Sequence, residues 1–596
     1  MSHSTHWDAI VVGAGLGGMT TAAYLTVLGK RTLLLERHSV LGGSSHVFRR
    51  QNKWEFDCGI HYIGDCGPNG QVPTLLRGLG LDEKIEWLPM DENGFDTIVG
   101  PDLELKIPVG WDNYLERLLS TFPDEEKGIR FYVSVMRRLG EHLDRSLHVA
   151  SNKGLMQLAR KAGWAAPWMM VPHAGLLAAC RLKPSTVVAL SAENGALTTL
   201  PQNLPCIMVA GFLRDYVGGG SWYPRGGGQI LSAGFAEVIQ SHGGTIRTQA
   251  HVESIDVENG KTTGVTLAGG ETLHAPVVVA AGDIKRTFRE LVGYENLPRY
   301  MRKRCENWKM TSPLINAFFG VEIDIHSTPN TNYFAIPNWD DATSLLNLTK
   351  QSARRVTKAS GRDPYEWARD FARNQPAFVQ CSTRRDPLNH FSAPQGHAAI
   401  EVQTIAPSDP ALWGYAGHDT RKNRYRREAQ YQDIKHIIME GLTARMEQVY
   451  PGSSSRIKWC ELGTPASQER FTHTSDGSAF GLEPNIKQIG PFRPKSETLI
   501  KGLYLAGTST VWGPATVGAM LSGLHAAAAI TGRDLQAEVR AGKVFADNSR
   551  FSQWEEGFDP YQATRMLSPQ QQDVVPNEEE SNAAPIMVGV QTGSRS

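Results

Sequence analysis

The clearest pattern of apolar and polar positions lies at the start of the chain. Residues 8–12 form a short apolar run of the length of a buried strand, and a glycine-rich turn follows at once. Apolar residues then recur at helical spacing over 19–28, and a second apolar run covers 31–36. A strand, a helix and a strand in this order form a βαβ unit. Its parallel strands predict an α/β fold.

The same two periods recur further along the chain. Residues 111–215 carry apolar positions every three or four residues, which predicts a mainly helical region. We expect strands at 245–252, 264–267, 276–282, 401–405 and 503–507, and helices at 425–449 and 517–530. Beyond residue 555 the chain is rich in Gln, Glu, Gly, Ser and Asn. Residues 555–596 are therefore predicted to form a flexible C-terminal tail.

Charge and cysteine content exclude several classes of protein. The 596 residues include 61 basic and 61 acidic side chains, so the chain lacks the basic footprint that nucleic-acid binding requires. The seven cysteines form no CxxC pair and the histidines have no ligand spacing, so we expect neither a disulfide scaffold nor a metal site. The first residues lack the pattern of a secretory signal, so a cytoplasmic location is expected.

One uncharged stretch raises the question of a membrane. Residues 162–180 are almost long enough to span a bilayer, but Pro167 and Pro172 interrupt them, so we do not expect a spanning helix. The stretch is the lip of a substrate tunnel, a surface that dips into a membrane, or a buried helical hairpin. Peripheral contact with a membrane therefore stays open at this point.

A dinucleotide-binding motif occupies the first turn. Gly13, Gly15 and Gly18 form a GxGxxG motif between a strand and a helix, and Glu36 ends the second strand. Gly13 permits the tight turn, Gly15 lets the backbone approach a pyrophosphate, and Gly18 allows the helix and strand to pack closely. The helix N-terminus attracts phosphates, and a carboxylate at Glu36 can accept hydrogen bonds from ribose hydroxyls. The same carboxylate disfavours the 2′-phosphate of NADP.

Further motifs extend this picture over most of the chain. They are LGGSS at 41–45, FDCGIHYIG at 56–64, YPRGGG at 223–228, GLYLAG at 502–507 and GPATVGA at 513–519. Together they resemble the phytoene desaturase, carotenoid isomerase and retinol saturase group of the amine-oxidase-like clan of FAD flavoproteins. The resemblance covers residues 8–535.

The resemblance implies a Rossmann-like FAD-binding domain that is discontinuous in sequence and a mixed α+β substrate domain. The first would comprise residues 1–110, 225–290 and 495–540, and the second residues 111–224 and 291–494. The implied FAD contacts are Gly13, Gly15, Gly18, Glu36, Arg37, Gly43, Ser44, Val252, Gly507, Thr516, Val517 and Gly518. Helix 517–530 would direct its N-terminal N–H groups at the pyrimidine edge of the flavin and stabilise negative charge there.

The chain departs from the clan at three places near the cofactor. Ser44 follows Gly43 where the clan frequently has an arginine, and Thr508 stands where an acidic residue is common. The usual PGxG run is replaced by residues 513–516, and we expect Trp512 close to the flavin ring. FAD binding remains the expectation, while the substrate and the electron acceptor stay open.

His61 and Tyr62 are the candidate catalytic residues. They follow a predicted strand end, at the position where the resemblance implies that the substrate meets the flavin. A histidine can donate or accept a proton at neutral pH, and a tyrosine can act in the same way through its hydroxyl. The alternative for His61 is a histidine fixed by hydrogen bonds in a packed turn.

These features predict an FAD-dependent oxidoreductase acting on C–C or C=C bonds of a small apolar, polyene or isoprenoid substrate. Hydride would pass between a substrate carbon and flavin N5, and His61 or Tyr62 would handle the proton. Desaturation, saturation and redox-neutral isomerisation all remain open. Two other functions also remain: an amine or amino-acid oxidase, and a binding protein similar to prenyl-protein escort factors. The oligomeric state is not predicted.

Overall fold

The structure is a computed structural model that describes residues 6–143, 152–339, 361–511 and 513–567. Its strands are β1 (Ala9–Val12), β2 (Thr32–Leu35), β3 (Val47–Arg50), β4 (Trp54–Asp57), β5 (Ile63–Gly64), β6 (Trp87–Pro89), β7 (Asp96–Val99), β8 (Glu104–Ile107), β9 (Ser221–Pro224), β10 (Thr245–Arg247), β11 (Val252–Glu258), β12 (Lys261–Leu267), β13 (Thr272–His274), β14 (Val278–Ala280), β15 (Leu314–Val321), β16 (Asn332–Ala335), β17 (Ala377–Cys381), β18 (Ala398–Ile405), β19 (Ile457–Gly463) and β20 (Leu503–Leu505).

The α-helices are α1 (Leu16–Val27), α2 (Gln71–Gly78), α3 (Trp111–Thr121), α4 (Glu126–Glu141), α5 (Asn152–Ala162), α6 (His173–Cys180), α7 (Pro184–Ala192), α8 (Cys206–Leu213), α9 (Gln229–Ser241), α10 (Ile284–Arg286), α11 (Arg299–Asn307), α12 (Pro364–Asn374), α13 (Ser382–Arg385), α14 (Ala429–Val449), α15 (Pro465–Thr472), α16 (Ala515–Thr531), α17 (Leu535–Arg540) and α18 (Pro560–Ala563). The region 111–215 is mainly helical, as its periodicity predicts.

A five-stranded parallel sheet lies at the centre of the first half of the fold. Its strand order is β10-β2-β1-β14-β20, so it joins strands from both ends of the chain. Successive side chains of β1 enter different cores, because side chains alternate between the two faces of a strand: Ile10 packs into one core and Val11 into the core on the other face. Parallel sheets are covered on both faces, so this arrangement explains why β1 and β2 are almost entirely apolar.

A seven-stranded mixed sheet forms the second half, in the order β19-β15-β18-β17-β16-β7-β8. Along β15, Ile315 and Phe319 pack into a core that also contains residues of α12 and α14. The alternate side chains Asn316 and Phe318 line a large cavity on the other face. The two-residue period of the strand therefore divides this sheet into a packed face and a cavity face.

The domain boundaries inferred from the sequence stay a prediction. The sheets cut across them at two places. The strands β7 and β8 lie within the predicted first FAD segment, 1–110, but pair into the seven-stranded sheet, and β9, at the end of the predicted substrate segment 111–224, pairs with β5 and β6 of the FAD segment. Pairing of β7 with β16 brings together residues that are far apart in sequence, for example Ile98 and Phe334. Local sequence pattern carries no information about such a pairing.

The segment 555–567 differs from the predicted flexible tail. It contains α18 and folds back on the opening residues of the chain, where the amide of Leu41 donates to the carbonyl of Thr564 at 3.1 Å. Arg49 also forms an ion pair with Asp559 at 2.6 Å. These partners lie more than 500 residues away in sequence, so composition alone did not reveal them. The rest of the predicted tail, 568–596, lies outside the described residues.

Candidate active site

One cavity of about 1750 Å³ connects the two halves of the fold. It begins at the carboxyl ends of β1, β2, β14 and β20 and extends to the cavity face of the seven-stranded sheet. In open α/β sheets, ligands bind at this edge, outside the carboxyl ends of the strands. The same cavity therefore contains a place for a nucleotide and a place for a second molecule.

The turn after β1 has the shape of a phosphate cradle. Gly13 has a φ of +102°, a conformation that favours glycine, and α1 starts at Leu16 with no side chain capping its N-terminus. The first N–H groups of the helix are thus available to an anion, and the helix dipole attracts one. No atom lies within 4 Å of the position that a Cβ on Gly15 would occupy. This open space at Gly15 fits a pyrophosphate group against the backbone.

Glu36 lies at the end of β2 beside the cradle. Its carboxylate accepts hydrogen bonds from the amide of Ala14 at 2.8 Å and from the amide of His38 at 2.7 Å. Desolvation by burial raises the pKa of Glu36, and these two amides oppose that shift. The hydrogen bonds fix the carboxylate at the cavity wall, where its position fits the recognition of a ribose.

The structure brings most of the predicted cofactor residues into this cavity and leaves three outside its lining. The residues that line it are Gly13, Gly15, Glu36, Arg37, Gly43, Ser44, Val252, Gly507 and Thr516. Gly18 instead packs against the turn, where a side chain would overlap the carbonyl oxygen of Gly13. Val517 and Gly518 lie buried in the first turn of α16. Trp512 lies outside the described residues.

His61 lies buried at the cavity wall between two polar side chains of β18. Its Nδ1 lies 3.0 Å from Oε2 of Glu401 but forms no hydrogen bond with the described residues. Its Nε2 contacts the amide of Gln403. Desolvation lowers the pKa of His61 to about 3 and raises the pKa of Glu401 to about 8. At neutral pH the imidazole is uncharged and the neighbouring carboxyl group holds a proton.

Tyr62 lies next to His61 but points its hydroxyl away from the cavity. The hydroxyl donates a hydrogen bond to Oδ2 of Asp96 at 3.0 Å. Burial, with the nearby Asp96 carboxylate, raises the pKa of Tyr62 well above its ordinary value. The ring of Tyr62 packs against Tyr216, with centroids 4.6 Å apart, and stacks on Phe378. Tyr62 is therefore part of the aromatic wall of the cavity.

The far part of the cavity is lined mostly by apolar and aromatic side chains. They come from the helical segments of residues 184–218 and from strands of the seven-stranded sheet, and include Val188, Leu197, Phe212, Tyr216, Phe334 and Phe378. Such a wall offers an apolar molecule a place to bind out of water. Gln403 and Asn316 are polar exceptions on the cavity face of the sheet.

Sequence reasoning did not find Glu401, Gln403 or Asp96. Glu401 is an acidic residue in the otherwise uncharged strand AAIEVQTI, and Gln403 stands two residues later on the same face. A single acid within a predicted buried strand was the available signal. Asp96 gave no such signal, because its partners Tyr62 and Asn332 come together only through the sheet.

The carboxyl-terminal edge of the parallel sheet, the phosphate cradle and the cavity together define an α/β protein of the flavin- or nicotinamide-dependent class. A model of the FAD dependent oxidoreductase family matches residues 8–374, which is more than half of the chain. The chain belongs to this family. It is an FAD-dependent oxidoreductase, and the residues of the cradle fit that cofactor.

Two groups of relatives are similar over nearly the whole chain. All-trans-retinol 13,14-reductase of Danio rerio is 26% identical over 558 residues, covering 89% of this chain and 87% of the relative. Prolycopene isomerase of Arabidopsis thaliana is 25% identical over 546 residues, covering 89% of this chain and 84% of the relative. These are two of the three kinds of relative in the group that the sequence motifs resemble.

Solved structures share the fold. An oxidoreductase from Methanosarcina mazei superposes with a TM-score of 0.53 at 17% identity, over 86% of this chain and 98% of that one. Cyclohexylamine oxidase from Brevibacterium oxydans superposes with a TM-score of 0.55 at 15% identity, over 88% of this chain and 99% of that one. At this identity the likeness defines the two-part architecture and leaves the substrate open.

Two glycines of the motif should respond differently to alanine. Gly15→Ala should leave the stability of the flavin-free protein nearly unchanged, since its φ of −71° suits alanine, but it should lower FAD occupancy because the methyl group enters the cavity. Gly18→Ala should destabilise the flavin-free fold by about 1–3 kcal/mol, the usual cost of overpacking. Thermal unfolding and the ratio of flavin to protein absorbance measure both effects. Equal loss of stability in the two variants would contradict this assignment.

Glu401 should make stability depend on pH. Its pKa is raised from 4.5 to about 8 in the folded state, so the stabilisation is fully present below pH 4.5 and is lost as the pH rises through 8. The free energy of unfolding of the wild type should therefore fall by up to about 2 kcal/mol between pH 6.5 and 8, and Glu401→Gln should abolish this fall. Urea unfolding at the two pH values measures the difference. The matched control is Glu116→Gln, a change at an exposed carboxylate of α3. An unchanged slope in Glu401→Gln would rule out a protonated Glu401.

Proposed function

We propose that this oxidoreductase saturates or isomerises a carbon–carbon double bond of an apolar polyene or isoprenoid substrate. The observation that carries the proposal is the continuity of one cavity from the nucleotide cradle to an aromatic and aliphatic wall. The names of the relatives, a retinol reductase and a prolycopene isomerase, support a substrate of this kind.

We propose that the cradle residues hold the ADP half of FAD. Gly13 and Gly15 would receive the pyrophosphate at the N-terminus of α1, and Glu36 the adenosine ribose. Gly507 and Thr516 line the cavity further along and would border the flavin half. When bound, FAD supplies hydride transfer at its isoalloxazine ring. The chain supplies orientation of the substrate and exclusion of water.

Saturation of a double bond requires a proton as well as a hydride, and we propose that His61 delivers it. The ring lies at the cavity wall, and the protonated carboxyl group of Glu401 lies 3.0 Å from its Nδ1. For Nε2 to give a proton to the substrate carbon, the amide of Gln403 must turn its oxygen to that atom. The Glu401 carboxyl group can then pass its own proton to Nδ1, so the negative charge comes to rest on Glu401, where the positive charge of the buried Arg385 opposes it. Tyr62 is less suited to this role because its hydroxyl donates to Asp96 and its pKa is raised.

We also propose that the helical region carries the surface that meets a membrane. Met156 and Trp164 are 58% and 56% exposed, and the basic residues Arg160 and Lys161 lie between them in sequence. Apolar and aromatic side chains beside basic ones are typical of interfacial segments. Among the described residues, no helix has both the length and the apolar character needed to cross a bilayer. Contact would therefore be confined to one surface of the membrane.

The proposed function can be tested with the purified, chemically reduced holoenzyme under anaerobic conditions. All-trans-retinol and a cis-configured lycopene serve as probes, supplied in detergent or in anionic vesicles. A product heavier by two hydrogens indicates saturation, and a product of unchanged mass but altered absorption indicates isomerisation. Substituting Met156 and Trp164 by serine should slow only the reaction with vesicle-supplied substrate. Hydrogen peroxide release with amines and no conversion of either probe would favour an amine oxidase. A colourless protein that takes up no flavin would favour a binding function.

His61→Gln should lower the rate of saturation by about 10²–10⁴-fold, the usual contribution of a general acid. Tyr62→Phe should lower the rate of saturation by less than about tenfold, because this change leaves the proposed proton donor His61 in place. Single-turnover reoxidation of the reduced flavin by substrate measures the step directly, and the flavin content of each variant is the control. A larger loss in Tyr62→Phe than in His61→Gln would transfer the role of acid to Tyr62.

A further inference from the structure

The diphosphate of FAD carries two negative charges, and the cradle itself contributes little positive charge. A helix N-terminus is equivalent to roughly half a positive charge. Ser44, which follows Gly43 at this edge, has an uncharged hydroxyl. Arg37 binds the carbonyl oxygens of Arg470 and Phe471, and Arg50 is paired with Glu461. Of the other basic side chains that line the cavity, Arg565 comes from the C-terminal segment.

The C-terminal segment 559–567 reaches this edge. Its backbone pairs with the loop that precedes the GG turn: the amide of Met566 donates to the carbonyl of Ser39 at 2.8 Å, and Val40 forms an antiparallel bridge with Arg565. The same loop continues to Gly42, which forms a bridge with Gly15 in the cradle. Two short backbone pairings thus connect Arg565 to the phosphate cradle.

The side chain of Arg565 lines the cavity with its charge uncompensated. Its Nε is buried and has no hydrogen-bond partner within the described part of the chain, and its guanidinium lies 5.6 Å from the ring centroid of Tyr561. Its charge acts on His38, which also lines the cavity, and helps to lower the pKa of that histidine, although desolvation is the larger cause. No carboxylate of the described residues forms an ion pair with Arg565. A guanidinium that is partly buried at a cavity wall and has no ion-pair partner there can bind an anionic ligand.

We propose that Arg565 is the cation that binds the diphosphate of FAD, and that the segment 559–567 closes this part of the cofactor site. The planar guanidinium can donate two parallel hydrogen bonds to phosphate oxygens, which an ammonium group cannot do. The inference rests on the proposed placement of FAD in the cradle. The segment 559–567, which its composition predicts to be part of a flexible tail, would then form part of the nucleotide site.

Release of FAD from the holoenzyme gives the first test. Arg565→Gln should weaken FAD binding about 10- to 100-fold, the loss expected for a hydrogen bond to a charged group, measured as the increase in flavin fluorescence on dilution. Arg565→Lys keeps the charge and should lie between the wild type and Arg565→Gln. The control is Arg550→Gln, because Arg550 pairs with Asp547 on the surface of the same C-terminal region and is 55% exposed. Unchanged FAD affinity in both Arg565 variants would overturn the proposal.

Binding of ADP and adenosine to the flavin-stripped full-length protein identifies the group that Arg565 contacts. Arg565→Gln should weaken ADP binding by about the same factor as FAD binding and leave adenosine binding unchanged. Equal losses for ADP and adenosine, or a lowered unfolding temperature with normal ADP affinity, would make Arg565 a structural anchor and overturn the proposal. If Arg565→Gln does not fold, the comparison is made with Arg565→Lys, for which a several-fold loss confined to ADP is expected. These outcomes do not depend on which reaction the loaded enzyme catalyses.

Discussion

The N-terminus of α1 reaches the cavity because the backbone around it carries no side chains at the points of closest approach. A Cβ on Gly18 would overlap the turn at Gly13, and one on Gly17 would lie 2.7 Å from the amide nitrogen of Gly507. The first contact holds α1 against β1, and the second holds it against the loop after β20. Since backbone groups cannot interpenetrate, any side chain here would move the helix away from the strand ends. The cradle, the cavity mouth and the path along Gly507 all depend on this packing.

A second constraint is electrostatic and lies below the substrate part of the cavity. The acidic residues Asp57, Asp96, Glu193 and Glu401 are buried there, and desolvation raises their pKa values to between about 6 and 8. Arg385 is buried in the same network and hydrogen-bonds to Gln380 and Asn332, which in turn contact Glu401 and Asp96. One cation cannot balance four carboxylates in a poorly solvated region, so protons must neutralise several of them. Protonated carboxyl groups therefore lie near His61.

The two halves of the cavity differ in the chemistry of the groups that line them. Backbone amides, glycines and a carboxylate form the nucleotide half, and groups of this kind suit the recognition of negative charge and ribose hydroxyls. Side chains from helices and from the cavity face of the seven-stranded sheet form the other half, and these recognise shape and apolar surface. The family match covers residues 8–374 and so includes parts of both halves.

The sequence by itself determined the βαβ unit, the helical region and the FAD-dependent class of the protein. The βαβ unit and the helical region follow from local periodicity. The FAD-dependent class follows from the family resemblance of several motifs, of which the first is a glycine motif whose spacing has a direct physical meaning. Only the tertiary structure decided that Glu401 lies beside His61, that Asp96 accepts from Tyr62, and that Arg565 reaches the cradle. Each of these pairs joins distant parts of the chain through a sheet or a returning segment. Such contacts are set by packing of the whole fold, and no local pattern of residues records them.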